Sequence, residues 1–184
     1  IRFPYRSVSP RCLTVAQIGG LCYTVRDTEG YGMEWETYMT QALELARQAG
    51  ALGEIPVGAV VVKDGAVIGR GFNRRETDHD ATAHAEVLAI REACRTLGGW
   101  RLDGCALFVT LEPCPMCTGA ILQSRLSRVV YGAADPKAGC CGGLLALTEE
   151  NFDTHPAIYA GVLERECTAL LRDFFAVRRR ASRK

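Results

Sequence analysis

Residues 57–73 read VGAVVVKDGAVIGRGFN, two runs rich in Val, Ala and Ile on either side of Asp64-Gly65. An Asp-Gly pair between β-branched runs is the strongest short-range signal for an antiparallel hairpin. A lone hairpin is marginal in water, so the segments around it must cover it.

The segments that do so alternate in type. Between Trp35 and Ala49 apolar residues recur at helical spacing (Trp35, Tyr38, Met39, Ala42, Leu45, Ala46, Ala49), with Gly50 as a stop. A polar loop with charges of both signs covers 73–82. Residues 83–97, AHAEVLAIREACRTL, read as a helix ending at Gly98-Gly99. CALFVTL is a strand, and a helix from Pro113 runs to about Ser124, with Pro113 at its first position. SRVVYGA is a strand, PAIYAGV a last short one, and GVLERECTALLRDFFAVRRR an amphipathic helix with Val162, Cys167, Leu170, Leu171 and Phe174 on its apolar side. The order α-β-β-α-β-α-β-(β)-α predicts an α/β fold in which one mixed sheet is sandwiched between helices.

With 184 residues, 48% of them apolar, the chain has enough material for one globular domain. No apolar run approaches the ~20 residues of a membrane-spanning helix. The net charge of +1 excludes nothing, but its distribution is uneven: Arg172, Arg178, Arg179, Arg180, Arg183 and Lys184 crowd the last residues against Asp173 alone. Nine cysteines, an odd number with no secretory signal pattern, fit reduced thiols in a cytoplasmic setting. Residues 1–32 show neither helical nor strand period and are expected to form an N-terminal extension outside the fold, disordered or upstream of the native product, with an Arg-containing, acid-poor targeting peptide as the alternative. The domain is expected to span 33–184.

The chemistry gathers at two places. TLEPCPMCTGA holds Cys114 and Cys117 between prolines, and TAHAEVLA holds His84 and Glu86. A C-x-x-C alone serves equally as a redox dithiol, half of a structural zinc site or part of a catalytic one. Both segments lie at predicted helix starts, where exposed N–H groups favour thiolate over thiol. If those starts are neighbours, His84, Cys114 and Cys117 can meet one ion, and zinc takes imidazole and thiolate. Three protein ligands leave a position open for catalysis; a fourth, from His79, His155, Cys140 or Cys141, would make the site structural. Glu86 fits a proton carrier better than a ligand, because two residues along a helix turn it roughly 200° from His84. Cys94, Cys105 and Cys167 fall in apolar patterns and read as core thiols.

Together, His84-x-Glu86 and Pro113-Cys114-x-x-Cys117 resemble the signature of the zinc-dependent nucleobase deaminases. From about Met33 to Arg180 the chain is similar to the bacterial tRNA-specific adenosine deaminases, through EIPVGAVVV, GRGFNRR, TAHAEVLAI, VTLEPCPMCTGAI, SRVVYGAADPKAG and LLRDFFAVRRR. The resemblance implies a cytidine-deaminase-like three-layer α/β/α sandwich with a mixed five-stranded sheet. It implies a homodimer with one zinc per subunit, and conversion of adenosine to inosine at the wobble position of a tRNA anticodon. It further implies zinc ligands at His84, Cys114 and Cys117 and a proton shuttle at Glu86. A nucleoside contact falls at Asn73, and pocket wall at Val57 and Leu111. Contacts to neighbouring nucleotides fall at Asp135 and Lys137, and an anticodon stem-loop surface at Phe174, Arg178 and Arg179.

Overall fold

The computed structural model describes residues 15–18, 21–24 and 32–181. Its centre is a five-stranded sheet in the order β4-β3-β5-β6-β7, formed by β3 (Gly58–Lys63), β4 (Ala66–Phe72), β5 (Ala106–Leu111), β6 (Arg128–Ala133) and β7 (Ala157–Ala160). β3 runs antiparallel to both β4 and β5, whereas β5, β6 and β7 are parallel, so the sheet is mixed as expected. Asp64 and Gly65 turn the β3–β4 hairpin with positive φ at both residues, the backbone that the Asp-Gly pair supplies.

Helices cover both faces. α1 (Gly32–Ala51) and α5 (Glu164–Ala181) lie on one side, where Trp35, Tyr38, Met39 and Ala42 pack with Val60, Phe108, Val130 and Cys167. α3 (Ala85–Leu97) and α4 (Pro115–Gln123) lie on the other, packing Ala89, Ile90, Ala93 and Ile121 onto Val61, Leu107, Val109 and Val129. Each fully buried Val, Leu, Ile or Met contributes roughly 1.5–3 kcal/mol relative to exposure. α3 rides unusually close to β4: a Cβ at Gly69 or Gly71 would overlap the backbone of Ala89 or Ala85. Small residues on both surfaces therefore fix the height of α3, and with it the residue that starts it.

Three details differ from the sequence reading. The loop after Asn73 contains a short helix, α2 (Arg75–Asp78), closed by an Arg74–Asp78 ion pair at 2.7 Å. α4 begins at Pro115, not Pro113, because a residue preceding proline is pushed to extended backbone and Cys114 is held there (φ −75°, ψ 174°). Inside the stretch read as lacking period, β1 (Val15–Ile18) and β2 (Leu21–Thr24) pair antiparallel as a separate two-stranded sheet. The remainder of residues 1–31 lies outside the described residues.

Candidate active site

The two helix starts meet. His84 is the residue before α3 and Cys114 the residue before α4, both in extended backbone, and Cys117 sits in the first turn of α4. The Nδ1 atom of His84 lies 3.7 Å from Sγ of Cys114 and 3.4 Å from Sγ of Cys117. All three donor atoms fall within 4.8 Å of one another. Among the described residues His79, His155, Cys140 and Cys141 do not join them, which leaves a three-donor set rather than the closed four-donor set of a structural site. The geometry also exceeds what a redox dithiol needs, since it includes an imidazole.

Protonation in the cluster is strongly skewed. Hydrogen bonding from Cys117, with a further contribution from His84, draws the Cys114 thiol down to about 4 against its desolvation. The hydrogen bond to Cys114, then burial, pushes Cys117 up. His84 is raised, chiefly by its hydrogen bond to Cys114. These shifts describe donors crowded together with charge to share, the condition a bound cation relieves. Glu86, two residues beyond His84, is 4% exposed and interacts with the Cys117 thiol and the charges of His84 and Cys114. Burial pushes its carboxyl up to about 7. Because His84 stands outside the helix, the 200° estimate for an ideal helix does not apply. The structure brings Glu86 to the cluster, and its carboxylate is not one of the three grouped donor atoms.

The residues expected to wall the pocket sit at strand ends. Val57, 9% exposed, precedes β3, and the half-buried Leu111 ends β5. Asn73, just past β4, is buried at 6% exposure; its N–H bonds to the Val57 carbonyl at 3.0 Å and its Nδ2 to Oε2 of Glu54 at 3.3 Å. Glu54 also accepts the Thr77 N–H at 2.7 Å. Burial raises the Glu54 pKa, but the hydrogen bonds from Thr77 and Glu76 outweigh it and hold the carboxyl below its usual value. A carboxylate there can only accept, so the Asn73 amide turns its NH₂ group toward Glu54.

Residues 33–133 match the family model described as the cytidine and deoxycytidylate deaminase zinc-binding region. The chain belongs to the cytidine and deoxycytidylate deaminase family. It is 52% identical over 141 residues to the tRNA-specific adenosine deaminase of Bacillus subtilis, an alignment covering 76% of this chain and 88% of that one. A solved tRNA:A34 deaminase, described as editing A to I at the wobble position of transfer RNA, superposes with a TM-score of 0.70 at 46% identity; 73% of this chain and 99% of that chain are covered. A Bacillus subtilis guanine deaminase superposes with a TM-score of 0.53 at 45% identity, covering 64% and 70%. Zinc is the cofactor of this deaminase domain, and one imidazole nitrogen with two cysteine sulfurs is a donor set it takes.

In this deaminase the remaining expected residues lie outside the cluster. Asp135 and Lys137 sit in the loop after β6, where Oδ1 of Asp135 accepts the N–H groups of Lys137 at 2.9 Å and Ala138 at 3.2 Å. That carboxylate shapes its own turn and leaves the exposed Lys137 presented. Phe174 and Arg178 line an open groove of about 630 Å³ between the end of α1 and α5, with Arg47, Gly50, Pro56 and Leu170. The Arg178 guanidinium lies 5.6 Å over the Phe174 ring, and Phe175, edge-on to Phe174, is 38% exposed. Pro56, at the edge of this groove, is followed in sequence by Val57.

Two buried, hydrogen-bonded carboxylates escaped the sequence reading. Glu54 and Glu112 are 1% and 2% exposed. Their signal is present in the sequence: each is an acid set against an otherwise apolar stretch, EIPVGAVVV and VTLEP, where a burial-prone acid demands partners.

Proposed function

We propose that this protein is a zinc-dependent hydrolase that converts adenosine to inosine at wobble position 34 of a tRNA anticodon. The observation carrying the chemistry is a three-donor cluster, all within 4.8 Å, with a buried carboxylate beside it. His84, Cys114 and Cys117 would hold the ion. When bound, zinc supplies Lewis-acid activation, bringing the pKa of a water from ~16 toward ~7.

Glu86 carries the proton. Its carboxylate accepts one from the incoming water, whose oxygen bonds to C6 of adenine. It returns that proton to N1, then takes the proton of the new C6 hydroxyl and passes it to the departing amino group as the C6 carbonyl forms. The C6–N bond breaks and ammonia leaves, so atoms and charge balance. A carboxyl raised to about 7 by burial is suited to taking up and giving back a proton near neutral pH. Asn73, its amide oriented by Glu54, contacts the nucleoside, and Val57 and Leu111 shape the pocket wall.

Similarity to relatives that act on tRNA favours a polynucleotide over a free base, as does the basic last turn of α5, with Arg178, Arg179 and Arg180 beside exposed Phe175. Aromatic and guanidinium groups suit stacking and phosphate contacts at a splayed loop. The target base must leave its stack, at a cost of a few kcal/mol that is smallest in a hairpin loop. The anticodon stem-loop would contact Asp135, Lys137, Phe174, Arg178 and Arg179. Residues 33–184 form the deaminase domain, it works as a homodimer, and its substrate implies a cytoplasmic location. Exposed Met116 at the start of α4, with Leu144 and Leu145 in the loop after β6, provides apolar surface for self-association.

The guanine deaminase likeness supplies the rival reading, a free-base deaminase. Incubation with unmodified tRNA, guanine and cytidine separates the two. Inosine at position 34 with no turnover of the small molecules is expected; efficient guanine turnover without inosine would overturn the RNA reading.

A further inference from the structure

The loop that follows β6 is wrapped around a single side chain. Glu112 leaves the end of β5 one residue before Pro113, and its own N–H is tied to the Ala133 carbonyl at 2.8 Å. Its Oε2 accepts the N–H of Asp135 at 3.0 Å; its Oε1 accepts the N–H groups of Cys141 at 3.0 Å and Gly143 at 2.8 Å. All three partners are backbone donors spread over nine residues of loop, and the carboxylate is 2% exposed. The loop is also fitted to it from outside. A Cβ at Gly139 or at Gly143 would overlap the Glu112 carboxylate, so both positions admit only hydrogen. Further bonds close the unit: Gly139 N–H to the Asp135 carbonyl at 2.8 Å, and Cys140 N–H to the Pro113 carbonyl at 2.9 Å. The same short stretch thus anchors the metal-donor helix on one side and the Asp135–Gly143 loop on the other.

We propose that Glu112 is a positioning residue for RNA substrate: its carboxylate, holding the N–H groups of Asp135, Cys141 and Gly143, sets where Lys137 meets the nucleotides beside the target base. This rests on the anticodon stem-loop reading above. Glu112 touches neither the donor cluster nor the reacting atoms; it acts through the loop. The Asx turn at Asp135 fixes the direction of Lys137, and Glu112 fixes the turn itself. Removing the carboxylate leaves three buried or half-buried N–H groups without their acceptor, and a loop that must move to find water.

The test uses the full chain with Glu112→Ala, Glu112→Gln, Lys137→Ala and the Glu112→Ala/Lys137→Ala double variant on an anticodon stem-loop. Misplacement of a contact costs on the order of tenfold or more, so Glu112→Ala should raise KM about tenfold. Its kcat should stay within about threefold of the parent and its zinc at about one per chain, because the reacting groups are untouched. Glu112→Gln, which keeps one acceptor oxygen, should fall between. Lys137→Ala should raise KM in the parent but add nothing to Glu112→Ala, since groups acting as a unit are non-additive. Additive effects would overturn the proposal, and so would zinc loss with collapsed kcat, which would make Glu112 a support of Cys114 alone. Should Glu112→Ala fail to fold, Gly139→Ala crowds the carboxylate from the loop side and should raise KM the same way; an unchanged KM there overturns the proposal. Parent turnover of the stem-loop is the control whose absence defeats the substrate reading instead. The anchoring is then read by trypsin cleavage after Lys137, expected about tenfold faster in Glu112→Ala, with an unchanged rate counting against it.

Discussion

The donor cluster and the C-terminal helix solve opposite problems. At the cluster, three donor atoms lie within 4.8 Å of one another, and Glu86 beside them is buried. Every one of these groups is held at a helix start, and charge acts at short range beside a buried carboxylate. On α5, Arg178, Arg179 and Arg180 are exposed, and their effect on a polyanion is a sum over screened contacts. Single substitutions should therefore be close to all-or-none at the first region, and graded and salt-dependent at the second.

The sharpest break of that contrast is Glu86→Ala. Loss of a proton carrier alone costs 10²–10⁴, and here the same group also serves the leaving amine, so turnover should fall by about 10⁴ or more. Zinc should remain near one per chain, measured by elemental analysis of the purified variant. Zinc loss would make Glu86 a ligand and the role assigned to it wrong.

Next comes Cys117→Ala. Changing an outer-shell partner of a metal site already costs 10–100-fold in affinity, so removal of a buried donor should cost at least about 10²-fold. Competition with a chelator reads the affinity, and the melting transition should fall because metal binding is coupled to folding. An unchanged zinc affinity would remove Cys117 from the donor set.

Glu54 lies between the two regimes. Glu54→Ala strands the Thr77 N–H and the Asn73 amide, which costs about 1–3 kcal/mol of unfolding free energy. The Glu54 pKa is held below the ordinary 4.5, so its ionic contribution is present at neutral pH and lost as pH falls below that value. Glu54→Gln should flatten the acid limb of a stability–pH curve; an identical limb in parent and variant would count against the assignment.

The α5 contacts should give a smaller, salt-dependent effect. Replacing Arg178, Arg179 and Arg180 with Ala should weaken stem-loop binding without altering zinc content. The slope of log K against log salt should flatten by about 2 if all three meet phosphates of a single-stranded loop. Equal slopes would reduce α5 to a solvated terminus. The smallest effect belongs to residues 1–32: a chain starting at Met33 should retain stability within about 1 kcal/mol and full turnover, and a larger loss would mean the segment packs on the domain.

The sequence by itself determined what depends on neighbours along the chain. Asp64-Gly65 dictated the hairpin because a two-residue turn with positive φ is a local demand. The helical periods of 35–49 and 83–97 gave α1 and α3 because one apolar face per 3.6 residues is written into the order of residues. The grouping of His84, Cys114 and Cys117 was legible because zinc chemistry accepts few side chains, and two short motifs carry them. Tertiary structure alone decided what depends on residues far apart in sequence. No period announces that Glu54 will turn the Asn73 amide, or that Glu112 will gather the N–H groups of Asp135, Cys141 and Gly143 across a span of 31 residues. A buried carboxylate must find donors wherever the packed chain offers them, and only the packing of β5 against β6 brings that loop within reach. The groove between α1 and α5 arises the same way, from two helices whose sequences say which face is apolar but not where the gap between them falls.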